Sequence, residues 1–226
     1  MAVTKVVLIL GAGPNIGKAV AAAFTAKGYK TALAARSLKP EESTAEQLNI
    51  QADFSDPSSI AGVFATVEKK FGAPSVVIYN AAGLNIVSET DPLAGTISGF
   101  AASININTVS AYAALQASVA GFSKLPNSAP RTFLYTGNAL NRVVVPSYLD
   151  LGVGKSATAY IIEASTIAYK NKGYKFCYVD ERKPDGQTVY PTDGPGHAVE
   201  FIKLAEASEQ GPWDHTFVQG EGFKKF

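Results

Sequence analysis

The sequence has 226 residues, a net charge of +1 and 46% hydrophobic residues, enough to bury one sizeable core. So small a net charge produces no strong electrostatic attraction to nucleic acid or to an anionic membrane, and we expect neither as a partner. Cys177 is the single cysteine, which excludes an intrachain disulfide, and the two histidines lack the neighbouring ligands of a metal site. No apolar run is long enough to span a membrane and no secretion signal is visible, so a cytoplasmic location is expected.

Strand and helix patterns alternate along the whole chain. In the first half they predict, in chain order, a strand at 6–10, a helix at 16–27, a strand at 30–35, a short helix at 41–48, a weak strand at 49–52, a helix at 57–71 and a strand at 75–79. In the second half they predict a long helix at 97–122, a strand at 132–135, a helix at 152–172, a strand at 175–179, a helix at 197–207 and a strand at 216–218. This alternation is typical of a doubly wound α/β domain, in which helices cover both faces of a parallel sheet of about seven strands.

The first predicted strand leads directly into a glycine-rich turn at the start of the first helix. Small residues let the backbone turn sharply and approach a pyrophosphate, while the helix N-terminus supplies free N–H groups and a partial positive charge. A single NAD(P)-binding Rossmann domain over residues 1–226 is therefore predicted, and the alternative is a structural turn without a ligand. The residues predicted to contact the cofactor in this turn are Gly11, Gly13, Asn15, Ile16 and Gly17.

The spacing of this turn resembles the short-chain dehydrogenase/reductase family, whose turn reads Gly-X-X-X-Gly-X-Gly. Gly11, Asn15 and Gly17 then occupy the three family glycine positions, and asparagine tolerates the left-handed backbone that glycine often adopts. The resemblance covers about residues 3–179 and includes further matches in the family order. These are Asp53 after the third strand, the run Asn80-Ala81-Ala82-Gly83 after the fourth strand, Asn107 in the long helix, and Lys155.

The resemblance implies cofactor contacts from these matching residues, with Asp53 beside the adenine. The end of the second strand indicates which nucleotide is bound: an acidic residue here would bind the ribose hydroxyls of NAD, but the sequence has Arg36 and Ser37. The planar guanidinium of Arg36 can pair with a 2′-phosphate and stack on adenine, and Ser37 can add a hydroxyl donor. We therefore predict NADP(H) as the cofactor, with an ordinary surface arginine as the alternative.

The resemblance also implies a catalytic centre, in which a tyrosine four residues before the lysine protonates the substrate oxygen. Leu151 occupies that position and cannot donate a proton. The family's serine position falls at about Asn138, whose amide can hydrogen-bond a carbonyl but is not an acid. Asn107 and Lys155 remain of the four expected groups, so we predict an altered catalytic site.

Another group can still supply the proton. Tyr148 lies three residues before Leu151 and would share a helix face with it if one helix includes both; the alternative is a loop tyrosine packed over the site. Tyr190, Asp150 and a water molecule are further candidates. The irregular stretch 180–195 is a candidate binding element, because long loops in compact domains often serve that purpose.

The favoured function is an NADPH-dependent reductase that acts on a small organic substrate. The alternatives are a cofactor-binding or regulatory protein with little redox activity, and a repurposed pocket that catalyses a non-redox step. Related folds pair two helices of each subunit, so a homodimer or homotetramer is expected through the helices predicted at 97–122 and 152–172.

Overall fold

The computed structural model describes residues 4–226, so Val3, at the start of the predicted resemblance, lies outside the described residues. The described chain forms an eight-stranded sheet in the order β3-β2-β1-β4-β5-β6-β7-β8. The first seven strands pair in parallel, and β8 is antiparallel to β7. The strands are β1 (Val6–Leu10), β2 (Lys30–Ala35), β3 (Gln47–Gln51), β4 (Val76–Tyr79), β5 (Thr132–Thr136), β6 (Lys175–Glu181), β7 (Asp214–Val218) and β8 (Gly222–Phe223).

Helices cover both faces of this sheet, as predicted for a doubly wound fold. The helices are α1 (Ile16–Ala26), α2 (Ser59–Phe71), α3 (Ile97–Ile104), α4 (Ser110–Phe122), α5 (Leu149–Ala168) and α6 (Gly194–Glu206). Apolar side chains of α1 and α6 pack on one face, and those of α2, α4 and α5 pack on the other. Since parallel strands are buried on both faces, the central strands carry continuous apolar runs, which is why the sequence pattern located them.

Two predicted helices differ from the structure. The helix predicted at 41–48 is wrong: only Pro40–Glu42 forms a 3₁₀ turn, and β3 already begins at Gln47. The Thr44 hydroxyl accepts hydrogen bonds from the amides of Glu46 and Gln47, which turns the chain into the strand. The long helix predicted at 97–122 is interrupted by a π-helical turn at Asn105–Val109.

Tyrosine hydroxyls from the sheet explain this interruption. The Tyr79 hydroxyl donates to the carbonyl oxygen of Ile106, and the Tyr135 hydroxyl donates to that of Asn107 at 3.0 Å. The Thr158 hydroxyl also donates to the Asn107 carbonyl, at 2.8 Å. Side chains that occupy backbone carbonyls in this way loosen the regular hydrogen-bond ladder and produce a π turn.

Several boundaries also move, and three of them affect the site. Helix α5 begins at Leu149 rather than at 152 and ends at Ala168. Helix α6 begins at Gly194 rather than at His197, because the Asp193 carboxylate caps it by accepting from the Gly196 amide at 2.8 Å. Strand β6 continues to Glu181, so the first residues of the stretch predicted as irregular, 180–195, belong to the sheet.

Candidate functional site

The glycine turn between β1 and α1 is built around two positions that exclude a side chain. Gly11 has φ +94°, and a Cβ there would lie 2.3 Å from the amide nitrogen of Ala81. A Cβ on Gly17 would lie 2.6 Å from Cα of Ala12. A Cβ on Gly13, by contrast, would meet no atom within 4 Å, so the backbone there faces open space. This is the cradle that close approach of a pyrophosphate needs.

Asn15 does not adopt the backbone expected from its family position. Its φ is −92°, and no non-glycine residue within the described range has a positive φ. Asparagine is therefore not needed for a left-handed conformation, and that explanation was wrong. Its side-chain amide instead donates to the Thr192 carbonyl oxygen at 2.9 Å, while Gly194 packs closely against it. Asn15 thus ties the turn to the segment that leads into α6.

A cavity of about 490 Å³ opens beside the turn, at the carboxyl ends of β1 to β4. Predicted cofactor residues that line it are Gly11, Gly13, Arg36, Ser37, Asp53, Asn80 and Ala81. Hydrogen bonds from Ser55 to the Asp53 carboxylate lower the pKa of Asp53, and the nearby Arg36 adds to the effect. The residues that form the turn and this cavity therefore fit a dinucleotide. Ile16 lies at the start of α1, where its side chain is buried in the core.

Asn107 connects the run after β4 to the rest of the site. Its amide nitrogen donates to the Gly83 carbonyl at 2.7 Å, and its amide oxygen accepts from the Gly83 N–H at 3.2 Å. A second link comes from Asn80, whose side chain donates to the Gly11 carbonyl at 2.8 Å. A Cβ on Gly154 would lie 2.6 Å from Cβ of Asn107, so α5 sits closely on the π turn. Asn107 is fully buried, and its amide acts here as a bridge between backbone segments.

Lys155 lies on the inward face of α5 and is 3% exposed. Its Nζ donates to the Thr136 carbonyl at 2.7 Å and lies 4.4 Å from the centre of the Tyr135 ring. Burial lowers the pKa of Lys155 to about 7, against an opposing contribution from the Asp180 carboxylate. An amine in this environment can gain or lose a proton near neutral pH.

The other predicted catalytic residues lie around the start of α5. Leu151 is buried one helical turn before Lys155. Tyr148 ends a short 3₁₀ turn, has non-helical dihedral angles and is 37% exposed, so the shared helix face assumed for it and Leu151 is absent. The Asn138 side chain accepts from the Leu140 amide at 3.0 Å, which caps the turn after β5.

A second cavity, of about 440 Å³, lies between the segment after β4 and the start of α5. Most of its lining is apolar, from side chains such as Ile86, Leu93 and Phe100. Asp150 is the charged residue of this lining; its carboxylate accepts from the backbone amide and the side chain of Asn85, at 3.1 and 2.8 Å. The sequence analysis named Asp150 as a further candidate proton donor. In the structure it lies in the first turn of α5, where a carboxylate also suits the helix dipole.

Within residues 4–226, no group of three or more His, Cys, Asp and Glu side chains is arranged to hold a metal ion. Nor does any helix of that range combine the length and the apolarity needed to cross a membrane.

Comparison with known proteins decides the family. A family model described as short chain dehydrogenase matches residues 5–127. The chain belongs to this family. The Short chain dehydrogenase/reductase dmxR12 from Cryptosporiopsis sp. (strain 8999) is 44% identical over 235 residues, which cover 99% of this chain and 95% of the relative. The predicted family is therefore confirmed.

Solved structures of short-chain dehydrogenases have the same fold. ElxO with NADP bound superposes with a TM-score of 0.80 at 17% identity, covering 96% of this chain and 97% of that one. The short-chain dehydrogenase/reductase from Serratia marcescens BCRC 10948 gives a TM-score of 0.75 at 16% identity, covering 96% of each chain. At these identities the likeness concerns the fold, and it confirms the predicted α/β architecture with a parallel sheet.

Proposed function

We propose that this short-chain dehydrogenase/reductase is an NADPH-dependent oxidoreductase that reduces a small organic substrate, within a single domain over residues 1–226. The observation that carries the proposal is the turn in which Gly11 and Gly17 exclude side chains while Gly13 faces the open cavity. A bound nicotinamide nucleotide supplies a hydride. Further support comes from the relative that is named a dehydrogenase/reductase and from the fold shared with NADP-bound ElxO.

The choice of NADP(H) over NAD(H) rests on the end of β2. Arg36 and Ser37 are exposed and line the cavity, and neither position carries the carboxylate that would bind ribose hydroxyls. The carboxylate of Asp53 lies across the cavity, after β3, where the family has a residue beside the adenine. A guanidinium at position 36 can form a bidentate pair with a 2′-phosphate, which a neutral side chain cannot.

Titration of the protein with NADPH and NADH, followed by cofactor fluorescence, tests this assignment. We expect NADPH to bind at least about tenfold more tightly, and Arg36→Ala to remove about 1.5–3 kcal/mol of that preference, the usual worth of a hydrogen bond to a charged group. Lys39→Ala is the matched control, because Lys39 is an exposed cation nearby that pairs with Glu42. Equal affinities for the two nucleotides, or an unchanged preference in Arg36→Ala, would contradict the assignment.

The cavity proposed for the substrate favours a largely apolar compound whose reacting carbon is polarised. The apolar cavity beside α5 offers space for it, with Asp150 as its charged group. Leu151 cannot donate a proton to the substrate. A strongly polarised carbon, as in an iminium or a conjugated enone, depends less on proton donation during hydride transfer than a simple ketone does. A panel of such compounds, assayed by the loss of NADPH absorbance, tests the redox function.

One alternative is also supported by a specific observation. Leu151 is buried and the Asn107 amide is occupied by backbone groups, which is compatible with a cofactor-binding protein without redox activity. Tight NADPH binding without turnover of any compound in the panel would favour this alternative.

We further propose that the protein is cytoplasmic and self-associates through α4 and α5. The outer faces of these helices expose Tyr112, Tyr160 and Ile167.

A further inference from the structure

A reductase of this family needs a proton donor, and the position of the usual tyrosine is occupied by Leu151. Two buried tyrosines near the site already donate their hydroxyl protons to backbone carbonyls. The Tyr135 hydroxyl donates to the Asn107 carbonyl at 3.0 Å, and the Tyr178 hydroxyl donates to the Asn138 carbonyl at 2.7 Å. Burial also raises the pKa of both phenols, which makes each a weaker acid.

Lys155 is the cationic residue one helical turn after the position of the missing phenol on α5. Residues four apart on a helix share a face, so Leu151 and Lys155 lie one above the other on the buried side of α5. The ammonium has one protein hydrogen bond in the described structure, to the Thr136 carbonyl at 2.7 Å. A lysine ammonium has three donors, so the other two have no protein acceptor within the described residues.

Asp180 lies on the same side of the sheet as Lys155. In the parallel register Tyr135 pairs with Tyr178, and these two rings stack with centroids 5.6 Å apart on the face that α5 covers. Side chains two residues apart in a strand point to the same face, so Asp180 also points toward α5. Its side chain is almost completely buried, and it lies at the end of β6.

The Asp180 carboxylate is only half satisfied. One oxygen accepts from Nε of Arg182 at 2.6 Å, whereas Oδ1 is buried and has no hydrogen-bond partner within the described residues. Burying a carboxylate oxygen without a hydrogen-bond partner destabilises the fold, so a role other than stability must explain it. Attraction to the Lys155 ammonium is such a role. Burial lowers the pKa of Lys155, and the Asp180 carboxylate opposes this effect.

Other charged groups surround this pair. The titratable side chains that face it from the packed elements are Tyr135 of β5, Tyr178 of β6, Arg182 directly after β6, and Asp214 of β7. Asp214 itself pairs with Arg142, whose Nε lies 3.1 Å from the carboxylate. Arg182 favours the charged form of Asp180, while Asp214 disfavours it. Of the carboxylates in this cluster, Asp180 is the one whose charge raises the pKa of Lys155.

We propose that the Lys155 ammonium donates the proton to the substrate oxygen, and that Asp180 is the positioning residue that keeps this ammonium charged. The proposal rests on the reductase function above. The carbonyl carbon gains a hydride and its oxygen gains a proton as an N–H bond of Lys155 breaks; the substrate is reduced and the nucleotide is oxidised. The neutral amine then regains a proton from solvent, so that each turnover consumes one hydride and one proton.

The coupling can be measured without turnover. In cofactor-free protein with isotope-labelled lysine, NMR titration should give a pKa for Lys155 of about 7, with the signal assigned by its absence in Lys155→Arg. Asp180→Asn should lower that pKa by about one unit, because a neighbouring opposite charge is lost. Glu209→Gln is the control. Glu209 is exposed, and its replacement removes the same one negative charge as Asp180→Asn does.

The pH profile of turnover supplies the second measurement. A protonated donor loses activity as the pH rises through its pKa, so kcat should fall above about pH 7 and the falling limb should move to lower pH in Asp180→Asn. Lys155→Arg keeps the charge but releases no proton near neutral pH, so it should lose about 100-fold or more in kcat while still binding NADPH.

The outcomes separate the two proposals. A Lys155 pKa near that of a free lysine in the wild type, about 10.4, would overturn the inference even if Asp180→Asn does not fold. So would an unchanged lysine pKa in a folded Asp180→Asn protein, or full turnover by Lys155→Arg. Failure of the wild type to bind NADPH would instead contradict the proposed function, whatever the NMR titration gives.

Discussion

The buried position of Leu151 offers the sharpest perturbation of the catalytic site. Leu151 is 8% exposed and lies one turn before Lys155 on the inward face of α5. Replacing it by tyrosine places a phenol at the position where the family has its acid. The larger ring must also be accommodated, and overpacking of a buried site costs roughly 1–3 kcal/mol.

The expected gain follows from what a positioned acid contributes. General acid catalysis typically accelerates a reaction by about 10²–10⁴-fold, equivalent to roughly 3–5 kcal/mol in the activation barrier. Lys155 already supplies part of this effect if it donates the proton, and the new phenol is not optimally placed. We therefore expect Leu151→Tyr to raise kcat/KM for simple ketones by about 10- to 100-fold, at or below the lower limit of that range.

Leu151→Phe is the matched control, because it adds the same ring without the hydroxyl. Both variants should lose similar stability, with a fall in Tm of about 2–4 °C per kcal/mol for a chain of this size. The assay follows NADPH oxidation by absorbance with a panel of ketones, at saturating cofactor. If Leu151→Tyr behaves like Leu151→Phe, the pocket does not place a phenol beside the substrate, and the role assigned to position 151 is wrong.

The remaining predictions concern the glycine turn and self-association. Gly11→Ala should destabilise the protein by about 1–3 kcal/mol, because of its positive φ and its contact with Ala81, whereas Gly13→Ala should leave Tm unchanged and weaken NADPH binding alone. Thermal melts and NADPH titrations distinguish the two, and equal Tm losses would contradict this reading of the turn. Sedimentation at micromolar concentration should find a dimer or tetramer, which Tyr160→Asp should dissociate, because Tyr160 is 75% exposed on α5. A monomeric wild type would exclude the proposed interface.

Most local elements and their order could be predicted from the amino-acid pattern. Continuous apolar runs such as Val6–Leu10 are buried on both sides, so their pattern survives in any context that forms a parallel sheet. The glycine turn was also predictable, because the close contact of Gly11 with Ala81 leaves no room for a side chain and fixes the residue type. The helix predicted at 41–48 failed because local composition there is overruled by pairing of Gln47 with Thr31.

The surroundings of Lys155 could not be predicted in this way. Asp180 and Glu181 are charged, which disfavours a buried strand in any sequence-based assignment, yet pairing with β7 extends β6 through both residues. The hydrogen-bond partner of Asn15 was equally unpredictable, because Thr192 lies 177 positions away along the chain. Local patterns report which residues a segment buries, whereas the partner of a buried polar group is set by strands and helices that are distant in sequence.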